Sequence, residues 1–166
     1  FLKREMMEQF PVLKKTSLKF SEYATKTIQE LFTAEMLAEA QISEASYSQS
    51  MVAINDGKGN FTMKALPEVA QLSCINAIAT TDINKDGLPD LLLGGNFTHF
   101  IPMFGMIDAS RGTVMINKGK GEFVEMKNTG FHAEGEMRQI APISIQNKTN
   151  FVCLINNETP KVFYLK

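Results

Sequence analysis

The chain has 166 residues, with 17 basic and 18 acidic side chains and a formal net charge of −1. Hydrophobic residues make up 44% and charged residues 21%, enough to bury a core in one domain or in part of a larger one. The balanced charge removes the electrostatic case for a nucleic-acid binder, and no apolar run approaches the roughly 18 residues of a membrane span. The first residue is Phe1 and no basic-then-apolar leader follows it. A piece of a longer protein is therefore expected, and missing targeting signals say nothing of where the parent resides.

Residues 1–47 contain no glycine and are rich in Glu, Lys, Ala, Met and Leu. A short helix is expected over Leu2–Gln9, closed off by Pro11. Ser21 can cap a longer helix through Phe32, with Tyr23, Ala24, Thr27, Ile28 and Leu31 on one face. Thr33 starts another short helical turn through Ala38. These features describe a helical packing arm or an insertion over 1–47, and nothing chemical argues against that.

From residue 48 to 166 the pattern changes to short apolar runs divided by Asn, Asp and Gly. Ser50–Ile54, Cys74–Thr80, Leu91–Gly94, Thr113–Ile116, Met137–Ile145, Phe151–Ile155 and Lys161–Leu165 read as strands joined by polar, glycine-rich turns. Cys74 and Cys153 lack CxxC spacing and read as small strand hydrophobes. His99 and His132 belong to no HExxH or Cys/His cluster, which argues against zinc. Nucleophile-elbow, P-loop and dinucleotide signatures are absent.

An internal repeat organises this half. Asn55-Asp-Gly-Lys-Gly-Asn-Phe61 returns 62 residues later as Asn117-Lys-Gly-Lys-Gly-Glu-Phe123, and the same shift lays Asn76–Ile83 over Arg138–Ile145. A shift of one less lays Leu91–Asn96 over Val152–Asn157. A period of this size in an all-β chain predicts a stack or ring of small sheets.

The sharpest motif is Asp82-Ile-Asn84-Lys-Asp86-Gly87-Leu88-Pro-Asp90. Oxygen-bearing side chains occupy positions 1, 3, 5 and 9, with glycine at 6 and an apolar residue at 7. Calcium is a hard cation that takes about six to eight oxygens in a tolerant geometry, and the backbone carbonyl of Leu88 is a natural further ligand. Carboxylates crowded into nine residues repel, so the loop is expected to order only on binding a cation. Position 12 holds Leu93 where an EF-hand needs Glu, and the flanks read as strands. The other reading of these residues is an acidic β-turn that binds nothing tightly.

DINKDGLPDLLLGGN, followed by the NKGKGEF turn, resembles the FG-GAP/VCBS repeat, the calcium-loop blade of integrin-type β-propellers. It is most similar to the C-terminal part of bacterial cell-envelope proteins of the ASPIC/UnbV-associated type. The resemblance covers residues 49–166 and implies a mainly β fold, a partial β-propeller of about two to three blades. It also implies Ca²⁺ as cofactor, with Asp82, Asn84, Asp86, Leu88 (through its backbone) and Asp90 as metal ligands, and an extracellular or cell-envelope location. The second copy, Ser144–Asn150, carries no carboxylate and is expected to be a structural blade without metal. Residues 49–66 would supply two strands of one blade, 72–127 a whole blade and 136–166 three strands of another. Such an arc cannot close a ring of about four to eight blades, so the parent, self-association through blade edges, or the helical arm must cover what is exposed.

The long connection Phe97–Gly112 carries His99, Phe100, Phe104, Asp108, Ser110 and Arg111, a mixture that suits a binding loop or simply packs over the blade. Asn60, Asn96 and Asn147 begin Asn-x-Thr triplets, which matter only in a eukaryotic secretory context. The function expected is a non-catalytic, calcium-binding segment for recognition or adhesion, with a carbohydrate or protein ligand. One alternative is part of a calcium-dependent polysaccharide lyase or hydrolase using acids such as Asp108, Glu134 and Glu136 with His99 as a base. A dockerin-like docking module is the third, against which the strand flanks count.

Overall fold

The computed structural model describes residues 2–16, 19–100, 105–145 and 148–165. The chain divides into two compact units, Phe1–Ser46 and Tyr47–Lys166. The first contains helices α1 (Lys3–Gln9), α2 (Leu13–Thr16), α3 (Phe20–Ala24), α4 (Ile28–Leu31) and α5 (Ala34–Ala38). Leu13 is its fully buried anchor, and Phe10 meets Phe32 edge-to-face at 5.1 Å. The Lys3 ammonium lies 4.8 Å from the centre of the Phe20 ring, a cation–π contact.

The single helix expected from Ser21 to Phe32 is instead two. Thr25 turns its hydroxyl back to the Glu22 carbonyl at 3.3 Å, and Thr27 begins a new helix. Its backbone N–H and hydroxyl both donate to the Glu30 carboxylate, at 2.7 and 3.0 Å. A Thr-x-x-Glu sequence is a start signal, and here it overrides the apolar spacing that runs through it. The bond from the Thr27 N–H holds the exposed Glu30 carboxyl below its ordinary pKa.

The second unit is mainly β, in three antiparallel sheets. β1 (Met51–Asn55) pairs with β2 (Phe61–Ala65), and a 3₁₀ turn over Glu68–Gln71 follows. β3 (Ile75–Thr81), β4 (Asp90–Gly95), β5 (Thr113–Asn117) and β6 (Phe123–Glu125) form a four-stranded meander. β7 (Met137–Ile145), β8 (Lys148–Ile155) and β9 (Lys161–Phe163) form the third sheet, in which Pro142 of edge strand β7 faces Phe151.

Alternation along the middle sheet explains how the three are held together. Leu92 and Val114 join Ala77 and Ala79 in a buried cluster with Met137, Ile140, Phe151 and Cys153 of the third sheet. Their neighbours Leu93 and Met115 turn the other way, into a cluster with Leu66, Ala70 and Val52 on the side of the first sheet. Both faces of the middle sheet are therefore covered.

The sequence repeat is a structural repeat. In both turns, Asn55 and Asn117 accept from the N–H two residues on (Gly57 and Gly119), each at 2.8 Å. Each turn then closes from the next residue, Asp56 N–H to the Asn60 carbonyl and Lys118 N–H to the Glu122 carbonyl. β3–β4 and β7–β8 begin with the same irregularity: Ile75 faces Gly95 and then Ala77 faces Gly94, while Met137 faces Ile155 and then Gln139 faces Leu154. Gly95 thus corresponds to Ile155, one residue away from the sequence match that set it over Asn156. The reason lies in the connections: eight residues separate the Thr81–Asp90 pair and six separate the equivalent Ile143–Asn150 pair.

Gly95 has no room for a side chain, since an added Cβ would sit 1.7 Å from the Cys74 carbonyl oxygen. Gly95→Ala is expected to cost about 3 kcal/mol and lower the melting temperature by roughly 10 °C, read from thermal unfolding. Burial pushes the Cys153 thiol up to about 11, keeping it neutral and unreactive. In thiol-reagent labelling at pH 8, Cys153 should react only on global unfolding, after half-buried Cys74.

Candidate metal site

The Asp82–Asp90 loop joins β3 to β4, the first two strands of the middle sheet. Its backbone needs two left-handed residues, Lys85 at φ 62° and Gly87 at φ 88°. No atom stands within 4 Å of a Cβ built on Gly87, so glycine is favoured there by conformation and not by space.

The side chains fold back on the loop's own backbone. The Asp82 carboxylate accepts from the N–H groups of Asp86 (3.1 Å) and Gly87 (2.9 Å). The Asn84 amide oxygen also accepts from the Asp86 N–H, at 3.0 Å, and its NH₂ donates to the Asp86 carboxylate at 2.8 Å. Asp86 accepts in addition from the Leu88 N–H at 2.9 Å. That bond, then the Asn84 amide, and the nearby positive charge of Lys118 hold the Asp86 carboxyl below its usual pKa. Backbone N–H groups thus face the Asp82 and Asp86 carboxylates and offset part of their mutual repulsion.

Asp90 plays a different part. It is fully buried, and its two oxygens accept from the N–H groups of Ile83 and Asn117, each at 2.8 Å. Asn117 returns a bond to the Pro89 carbonyl at 3.0 Å. The carboxylate therefore clamps the loop onto the far end of β5.

Asp82, Asn84, Asp86 and the Leu88 carbonyl lie in one turn and offer only oxygen, which fits a hard cation in chemistry. Asp90 is committed to two backbone donors, though each carboxylate oxygen keeps further acceptor capacity. Among the described residues, no three His, Cys, Asp or Glu side chains lie close enough to hold a metal ion. A bound cation would thus draw on the amide, the carbonyl and water besides the carboxylates.

At the other end of β4 is a polar hub that the sequence did not disclose. Asn96, at φ 80° and almost completely buried, donates to the carbonyls of Ser110 (2.7 Å) and Gly135 (2.9 Å). Its oxygen accepts from the Ser110 N–H and the Ser73 hydroxyl, both at 2.9 Å. Buried this way, Asn96 is no glycosylation acceptor. Beside the hub, the buried Glu136 carboxylate meets His99 Nδ1 at 2.8 Å, Asn156 Nδ2 at 3.1 Å and Arg138 Nη2 at 3.0 Å. The oxygen facing Arg138 has no aligned hydrogen bond among the described residues. Glu134 pairs with Arg111. The long connection is pinned by reciprocal backbone bonds between Phe97 and Ile107, and Phe97 packs edge-to-face on Phe100 at 4.7 Å. Met103 and Phe104 lie outside the described residues, as does Asn147.

No protein-family model, curated protein or solved structure matches the chain.

Asp90→Ala would leave two buried backbone donors without their acceptor. About 3 kcal/mol of stability should be lost, measured by denaturant unfolding, while Asp86→Ala in the exposed turn leaves the unfolding midpoint in calcium-free buffer nearly unchanged.

Proposed function

We propose that this chain is a non-catalytic, calcium-binding segment of a β-propeller, part of an extracellular or cell-envelope protein that recognises or adheres to a carbohydrate or protein ligand. The observation that carries this reading is the oxygen-only Asp82–Asp90 loop between the first two strands of a four-stranded antiparallel sheet covered on both faces. The repeated turns and repeated strand irregularity support a chain built from blade-like units. Calcium would be held by Asp82, Asn84, Asp86, the Leu88 carbonyl and Asp90, and its role would be structural. All these ligands come from one loop, already tied by Asp90 to β5.

A calcium-dependent polysaccharide lyase or hydrolase is the second reading. It draws on one observation: His99 is half-exposed with Nδ1 bound to a buried carboxylate, an arrangement that orients a general base. Cleavage of a glycan panel that disappears in His99→Ala would favour it over the non-catalytic reading.

Calorimetric calcium titration tests the leading proposal. One site is expected in the wild type and none in Asp86→Ala. At a hundredfold excess over Kd the cation should add about 2.7 kcal/mol of stability and raise the melting temperature by roughly 10 °C. Absence of binding at millimolar calcium would reduce the loop to an acidic turn. Because the ligands must be ionised, affinity should fall as pH drops through the carboxylate range, with Asp86 among the last to protonate.

A further inference from the structure

The cation loop also forms one wall of a cleft. About 610 Å³ of open volume lies between the β3–β4 loop of the middle sheet and the corresponding end of the third sheet. Asp82 and Lys85 line one side, Lys148, Thr149 and Asn150 the other, and Tyr164 stands beyond the end of β9.

The two sides differ in charge because the repeat diverged there. The first copy spends its connection on Asp82, Asn84 and Asp86. In the second copy strand pairing continues through Ile145 and Lys148, so the turn is shorter and a lysine takes the rim. Asp90 of the first copy is matched by Asn150, which is also buried, so the charge at that position is lost.

Among the described residues neither Lys85 nor Lys148 has a carboxylate partner. Asp82, the acid on the wall, already accepts two backbone N–H groups. The cleft therefore presents two ammonium groups without a carboxylate partner against the one carboxylate of Asp82, an excess of positive charge. It adds the Thr149 hydroxyl and a tyrosine ring that is 65% exposed. Cations attract carboxylates, a hydroxyl pairs with sugar hydroxyls, and an open aromatic face accepts the apolar face of a pyranose. An acidic peptide would share only the first of these contacts.

We infer that this cleft binds an acidic saccharide, with Lys85 and Lys148 holding uronate carboxylates and Tyr164 stacking on a sugar ring. The inference rests on the recognition reading above but not on calcium, because both lysines and the tyrosine act whether or not the loop holds a cation.

The test is calorimetric titration of the chain in EDTA with tetragalacturonate, its methyl ester, neutral galactotetraose and hexa-aspartate. Tetragalacturonate should bind with a Kd in the millimolar range or tighter, and the two neutral sugars at least tenfold more weakly. Lys85→Ala/Lys148→Ala should weaken binding about tenfold and Tyr164→Ala about fivefold, with melting temperatures unchanged since all three side chains are exposed. Lack of tetragalacturonate binding, equal binding of its methyl ester, or tighter binding of hexa-aspartate would each overturn the assignment. Saccharide binding in EDTA alongside a failed calcium titration would leave the cleft standing and remove the metal. Calcium binding without saccharide binding would do the reverse.

Discussion

Asp90 is where the middle sheet is locked. A charged side chain with no solvent exposure is tolerable only when its oxygens are satisfied, and here backbone donors from two separate segments, Ile83 and Asn117, do that. One carboxylate consequently fixes where the β3–β4 loop ends, where β4 begins and how the last residue of β5 sits beside it. The acidic turn, the outlook of Leu92 toward one cluster and Leu93 toward the other, and the wall of the cleft all follow from that placement. In the third sheet the corresponding position is Asn150, whose NH₂ donates to the Lys148 carbonyl at 2.9 Å. The change from acid to amide accompanies the shorter connection and the absence of a carboxylate turn.

Much of the β unit was legible because its signals are local. Short apolar runs divided by Asn, Asp and Gly placed Met137–Ile145 at its observed limits and most other strands within a residue or two. β2 and β6 were not drawn out as separate apolar runs, since Phe61–Ala65 is mostly solvent-facing and Phe123–Glu125 is only three residues long. In the first unit, apolar spacing suggested one helix where Thr25 and Thr27 impose two. Side-chain competition for backbone groups is stronger there than a period of 3.6.

The acidic loop was legible as a list of oxygens but not as a geometry. Spacing alone put five oxygen-bearing positions on an equal footing; the fold separates Asp90, a buried strut, from Asp82, Asn84 and Asp86, which share the backbone donors of one exposed turn. The Asn96–Glu136 hub was illegible for another reason. Its partners Ser73, Ser110, Gly135 and Asn156 are scattered across more than 80 residues, and no spacing rule connects them. A hint lay in Asn96 ending a Gly-Gly-Asn run, where a left-handed residue is readily accommodated.

Pro142 has a consequence for how the chain behaves while it is being made. β7 is the longest strand, nine residues, and it lies at the border of its sheet. An unprotected ribbon of that length is a template on which nascent copies could zip together before the buried clusters close. Proline has no N–H to offer, so its position in the middle of β7 interrupts the row of donors that a growing aggregate would need. At the opposite borders of the two larger sheets, β6 and β9 are three residues each, too short to seed an intermolecular ladder. Pairing at the β7 border is thereby steered toward the chain's own strands while the molecule is still being made.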